Sequence, residues 1–198
     1  MASKETTANS PGSLYLKLSS ALLALFLFIH PLLYWDDLRD ASSLPRYALL
    51  GVVACALLVL WGLALYRRQI SYRWHPVMIL LAAVLFWAML SLNWTMDPLY
   101  GFLEGIQLLG LILLCFVMSQ FVRWEHIPRY FLLSVMSAVI VAIFGLQQNF
   151  GFNPFGFIQF APPAANFTNK NFVTLYLDLI VFIAWCSFFW QIKNAING

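Results

Sequence analysis

Six apolar runs, each close to twenty residues long, follow one another from Leu14 to Ile192 with charged residues confined almost wholly to the short segments between them. A helix that crosses a bilayer takes about 20 apolar residues at about 1.5 Å each, so the chain is read as an all-α, polytopic membrane bundle of about six transmembrane helices. Only 10% of the residues are charged and mean hydropathy is +0.80. A soluble domain carries about 25% charged residues. Most of this surface must therefore face lipid, and a soluble domain, a disordered chain and a disulfide scaffold are excluded. A net charge of +3, scattered along the sequence, makes no footprint for a nucleic acid.

The spans are placed at Leu14 to Trp35, Arg46 to Tyr66, Pro76 to Thr95, Tyr100 to Val122, Pro128 to Asn149 and Asn171 to Ile192. Residues 1–13 are polar, contain Pro11 and Gly12, and read as a flexible cytoplasmic tail ahead of a membrane domain over 14–198. Span one is too long for a signal-peptide core and ends in Asp36-Asp37 without a small-residue cleavage site, so it stays as a helix. Eight basic residues (Lys4, Lys17, Arg67, Arg68, Arg73, Arg123, Arg129, Lys193) fall on one side and three (Arg39, Arg46, Lys170) on the other. The basic side is cytoplasmic, which puts both termini inside the cell. Cys55, Cys115 and Cys186 sit in mid-span without metal-ligand spacing and read as packed small hydrophobes. Neither a metal site nor a cofactor motif is present, and no nucleophile–base–acid set stands out.

Polar side chains inside the spans gather toward the outer ends. Span four carries Glu104 and Gln107 one turn apart; span six carries Asn171, Thr174 and Asp178 along a stripe, Asp178 about 10 Å below Asn171. Span five leaves with Gln147, Gln148 and Asn149, span three with Ser91, Asn93 and Thr95, and span one places His30 before Pro31. A channel needs polar residues along its full depth. Here they form a bowl open to the outside, with Arg46 and Lys170 as a cationic lip suited to a lipid-linked anion. The plainer alternatives stay open. Gln107, Ser91 and Thr174 suit interhelical hydrogen bonding, and His30 suits a carbonyl freed by the proline. Asn166-Phe167-Thr168 fits the N-glycosylation pattern, and Thr168 equally suits a helix cap. The long outer loop, residues 150–170, holds six large apolar residues between Phe150 and Phe160 and is expected to lie on the membrane surface or tuck back into the bundle.

Three stretches carry a family likeness. Asn166-Phe-Thr-Asn-Lys-Asn-Phe-Val-Thr-Leu-Tyr-Leu177 resembles the F-x-N-x-N-x-x-A-x-Y-L signature of O-antigen ligases, Wzy-type polymerases and O-oligosaccharyltransferases, with Thr174 where the small residue stands. LFWAMLSLNWTMDPLYG is similar to that family's W-x-x-x-S-x-x-W-S-x-D-P segment, and IVAIFGLQQNFGFNPFG to its G-x-x-Q-x-x-G-x-x-P stretch. The resemblance implies a metal-independent, inverting glycosyltransferase of the bacterial inner membrane. It would move a glycan from undecaprenyl pyrophosphate to lipid A-core, a protein hydroxyl or a growing glycan. It assigns substrate contacts to Asn169, Lys170 and Asn171, and Gln147 to the family's glutamine; Arg46, Glu104 and Asp178 join them from the bowl. The family's catalytic Arg and His residues lie on a large periplasmic loop farther along than this sequence reaches. The expectation is the amino-terminal half of such an enzyme, or a split or truncated product, that binds without catalysing. A small ion-coupled transporter with Glu104 and Asp178 as relay carboxylates, and a structural membrane subunit, are the competing readings.

Overall fold

The computed structural model describes residues 12–38, 40–157, 163–167 and 169–197. Among them are six α-helices and no strand: α1 (Gly12–Ile29), α2 (Ser43–Tyr66), α3 (Val77–Ser91), α4 (Pro98–Phe121), α5 (Ile127–Asn149) and α6 (Lys170–Asn197). Five segments are long and apolar enough to cross a membrane: Leu14–Leu32, Ser43–Tyr66, Pro98–Phe121, Ile127–Asn149 and Lys170–Phe189. The protein is an all-helical bundle of multi-pass membrane type. Helix α3 has 15 residues, about 22 Å of α-helical rise against a hydrocarbon core of about 30 Å. It ends early because Leu92, Asn93 and Trp94 donate three residues back instead of four. That tightening continues the rod beyond Ser91 as 3₁₀-type turns.

Span one also stops sooner than its hydropathy suggests. Pro31 has no N–H to donate, and the helix passes into a 3₁₀ turn over His30–Leu32 and then into extended backbone at Leu33. Trp35 N–H then donates to Ala41 O at 2.8 Å and closes the connection to α2. Asp40 heads that helix, its carboxylate accepting the Ser43 N–H at 2.9 Å and the Ser42 N–H at 3.3 Å. Burial would push this carboxyl upward, but the Ser43 and Ser42 hydrogen bonds outweigh it and hold the group below the usual carboxylate range. Asp97 caps α4 in the same way, accepting from Tyr100 N–H at 3.0 Å with proline following it.

Two compact units emerge, one from residues up to Leu23 and Leu50–Val122, the other from Ala24–Leu49 and from Arg123 onward. In the first, Leu50, Val53, Ala54, Leu57 and Ala64 make one buried face of α2, and Leu114, Val117 and Phe121 one of α4. Spacings of three, four and seven put each set on a single stripe. The Trp61 and Phe116 rings meet edge to face at 5.0 Å. Because lipid tails are as apolar as leucine, close packing, and not escape from water, holds such faces together. The Gln120 amide locks the following turn: it accepts from Arg73 N–H and donates to Arg73 O, both at 2.9 Å. At the far end of that turn Arg68 takes φ of 55°. Gln69 N–H reaches Ala64 O and Arg68 N–H reaches Leu65 O, the Schellman pattern that usually takes glycine.

In the second unit Val141, Ala165 and Val173 form a buried cluster against Leu32, Phe144, Phe167, Tyr176 and Leu177. The Phe-rich loop tucks back as expected. Phe155 and Phe157 stack on each other and meet Phe144 at steep angles, and Phe157 meets Tyr34 at 4.8 Å. The cysteines are not packed: Cys55, Cys115 and Cys186 are all exposed on their helices. On an apolar helix that surface suits a small hydrophobe as well as a core does, so the residue type did not distinguish the two.

Candidate functional site

The second unit is organised around the short segment Ala164–Phe167, whose backbone belongs to no helix and must find partners elsewhere. Gln148 supplies three of them. Its Oε1 accepts from Ala164 N–H at 3.0 Å and Ala165 N–H at 2.7 Å, and its Nε2 donates to Ala165 O at 2.8 Å. Ser42 Oγ donates to Phe167 O at 3.3 Å. Ala165 is held at φ of 48°, a left-handed conformation that costs an L-residue roughly 1–2 kcal/mol. The surrounding hydrogen bonds offset it.

Arg46 closes the arrangement from α2. Its Nη2 donates to Pro31 O at 3.1 Å and to Asn166 O at 3.0 Å, and its guanidinium lies 3.7 Å from the Phe167 ring centroid. Asn166 Nδ2 donates to the same Pro31 carbonyl at 2.8 Å. Tyr176 stacks on Phe167 at 5.4 Å and shares a 3.2 Å hydrogen bond with Ser137 on α5. Arg46 is thus a clamp in the interior, 7% exposed, and not the exposed lip its charge suggested. A buried cation usually demands a carboxylate, yet among the described residues Arg46 has no ion pair. Its Nε and the Asn166 Oδ1 are both buried without a hydrogen-bond partner. Two carbonyls and an aromatic face balance the charge in part.

The expected contact residues are distributed as follows. Lys170 is the exposed first residue of α6, where the helix dipole favours an anion. Asn169 is the cap, its Oδ1 accepting from Asn171 N–H at 2.9 Å; Thr168 lies outside the described residues, as does Arg39. Asn171 and Asp178 are exposed, on the side of α6 turned away from its buried residues Val173 and Ile180. Neither side chain is hydrogen-bonded among the described residues. Thr174 Oγ1 donates within its own helix to Lys170 O at 2.9 Å.

Gln147 is half-buried, and the buried glutamine is its neighbour Gln148. Ser137, Val141 and Gln148 share the buried face of α5 at spacings of four and seven, whereas Gln147 is turned about 100° away. Counted from Gly145, the G-x-x-Q spacing also falls on Gln148. Asn166 cannot serve as a glycan acceptor in this fold, because it is 0% exposed. His30 makes no side-chain hydrogen bond among the described residues, and its ring packs on Phe26 at 4.8 Å. Arg46 and Asn166 donate to the carbonyl of Pro31 itself. Gln148 and Tyr176 stand in the quoted stretches without a role, and the helical phase of α5 together with the G-x-x-Q spacing singles out Gln148. Nothing local marks Ser42.

Glu104 belongs to the first unit and lines a cavity between α3 and α4. No group of three or more His, Cys, Asp or Glu among the described residues could hold a metal ion. Comparison with protein-family models, with curated proteins and with solved structures finds no match to the chain.

Proposed function

We propose that the chain is the donor-binding part of a membrane glycosyltransferase of the O-antigen ligase and polymerase type, working in the bacterial inner membrane. The observation that supports this reading is the exposed Lys170 at the first position of α6, next to a segment that the buried Arg46 holds in place through Pro31 O, Asn166 O and the Phe167 ring. An exposed cation at a helix N-terminus suits a pyrophosphate. The likeness of residues 166–177 to the family signature points to the same substrate, an undecaprenyl-linked glycan; lipid A-core, a protein or a growing glycan is the acceptor.

In that reaction the acceptor hydroxyl forms a bond to the anomeric carbon, loses its proton, and the bond from that carbon to the pyrophosphate oxygen breaks. Negative charge grows on the leaving pyrophosphate, and fixed positive groups there lower the barrier. Lys170 fills that role, and Arg46 positions the segment that leads into it. The anionic Glu104 and Asp178 have no part in holding phosphate.

The test is binding of undecaprenyl pyrophosphate to the chain in lipid nanodiscs. Replacing both Lys170 and Asn171 by Ala should weaken binding about tenfold, equivalent to about 1.4 kcal/mol, with unchanged insertion and folding. Equal affinity of the double variant and the parent chain would reject the assignment.

A further inference from the structure

Within the first unit, the turn after α3 brings α4 back against it, and the two helices leave a half-open cavity of about 340 Å³ lined by Ser91, Thr95, Gly101, Glu104 and Gly105 among others. Two glycines one turn apart shape it. A Cβ at Gly101 would lie 2.8 Å from the Leu92 Cδ2, and one at Gly105 would collide with the Met89 methyl. The helices approach closely there, and no side chain from those two positions fills the space beside Glu104.

Glu104 makes no ion pair and no hydrogen bond among the described residues. The residue is exposed at the mouth of the cavity, six residues into α4 and about 9 Å along the helix from Pro98; within an apolar span a carboxylate without a partner is costly. A cation is the missing partner, and the walls say which kind. Ser91 Oγ donates to Ala88 O at 2.7 Å, which leaves its lone pairs free to accept. With Thr95 and the Glu104 carboxylate, three side chains carry oxygen acceptors. A primary ammonium offers three donors. A quaternary ammonium offers none and is held by aromatic faces, yet the lining contains no aromatic residue. Calcium and magnesium need about six oxygen ligands, and one carboxylate with two hydroxyls falls short. Leu99, Phe102, Leu103 and Ile106 beside the site are exposed and apolar, a surface for acyl chains and not for a soluble amine.

We propose that the α3–α4 cavity binds the primary-ammonium headgroup of a phospholipid, with Glu104 as its counter-ion. The proposal does not rest on the glycan-transfer reading, and its test involves no glycan or pyrophosphate. The chain is placed in nanodiscs of equal phosphatidylethanolamine and phosphatidylcholine, and lipids retained by the released protein are counted by native mass spectrometry. The parent chain should retain ethanolamine lipid about tenfold over choline lipid. Glu104→Gln, which keeps the cavity's shape, should bring the ratio to about twofold or less, with an unchanged thermal midpoint. Ser91→Ala should lower it part of the way. Equal retention of both lipids by the parent chain, or a preference that survives in Glu104→Gln, overturns the proposal. A further arm adds putrescine to choline-only nanodiscs. Glu104-dependent putrescine binding without ethanolamine-lipid preference would give the cavity to a soluble amine and overturn the lipid assignment.

Discussion

Gln148 holds three backbone groups of one irregular segment through a single side chain, so its loss is expected to be expensive. Gln148→Leu keeps the volume but leaves two buried N–H groups and one carbonyl without partners. With each stranded group costing about 1–3 kcal/mol and partial relaxation, a destabilisation of about 2–4 kcal/mol is expected. The same change at Gln147, whose Oε1 has no partner to lose, should stay within about 0.5 kcal/mol. Unfolding of both variants by SDS titration in mixed micelles measures the difference, and equal losses would refute the role given to Gln148. Adjacent and chemically identical, the two glutamines differ only in helical phase, which composition and hydropathy cannot separate. Arg46 makes a related point. Its charge suggested an exposed lip, but it is buried and clamps Pro31 and Asn166, the latter 120 residues away.

Helix boundaries follow from local chemistry and were largely legible, because caps and prolines act on their own backbone. The helix starts beside Pro76 and Pro128 lie within a residue or two of the spans read from the sequence, whereas the break at Pro31 and the Asp97 cap of α4 fall inside or ahead of them. The head of α2 yields a pH prediction. Asp40 has a folded-state pKa below its ordinary value, about 3.9 in an unfolded chain. Its stabilisation is therefore present in full above that value and is lost as the pH falls through the lower folded-state value. Asp40→Asn keeps a capping oxygen but has no charge to titrate, so its stability should fall less than the parent chain's between pH 5 and about pH 3. Stability measured across that range for both proteins decides it; parallel acid limbs would remove Asp40 as the titrating group. Helix α3 was harder to judge. Its apolar run promised a full crossing, and only the hydrogen-bond pattern shows α-helix giving way to 3₁₀ turns at Ser91.

Sidedness is a property of the entire chain in its membrane, and the proposed donor site depends on it. With the three native cysteines replaced by serine, a cysteine at Phe152 should react with an impermeant thiol reagent in intact cells, and one at Ser71 only after lysis. Both positions are exposed. The opposite result would turn the polar ends of the spans toward the cytoplasm and remove the donor-site reading. What could be read along the line of residues was the fold class, the approximate spans and the expected orientation. Hydropathy, caps and charge bias are local or additive, and a bilayer lets almost nothing but helices satisfy the backbone. What needed the folded molecule was which side of each helix meets which neighbour. That phase buries Arg46 and Asn166, selects Gln148 over Gln147, leaves His30 against Phe26 and opens the cavity beside Glu104. It is set by packing between helices, and for Arg46 and Asn166 the partners lie up to 135 residues apart, beyond any local window along the chain.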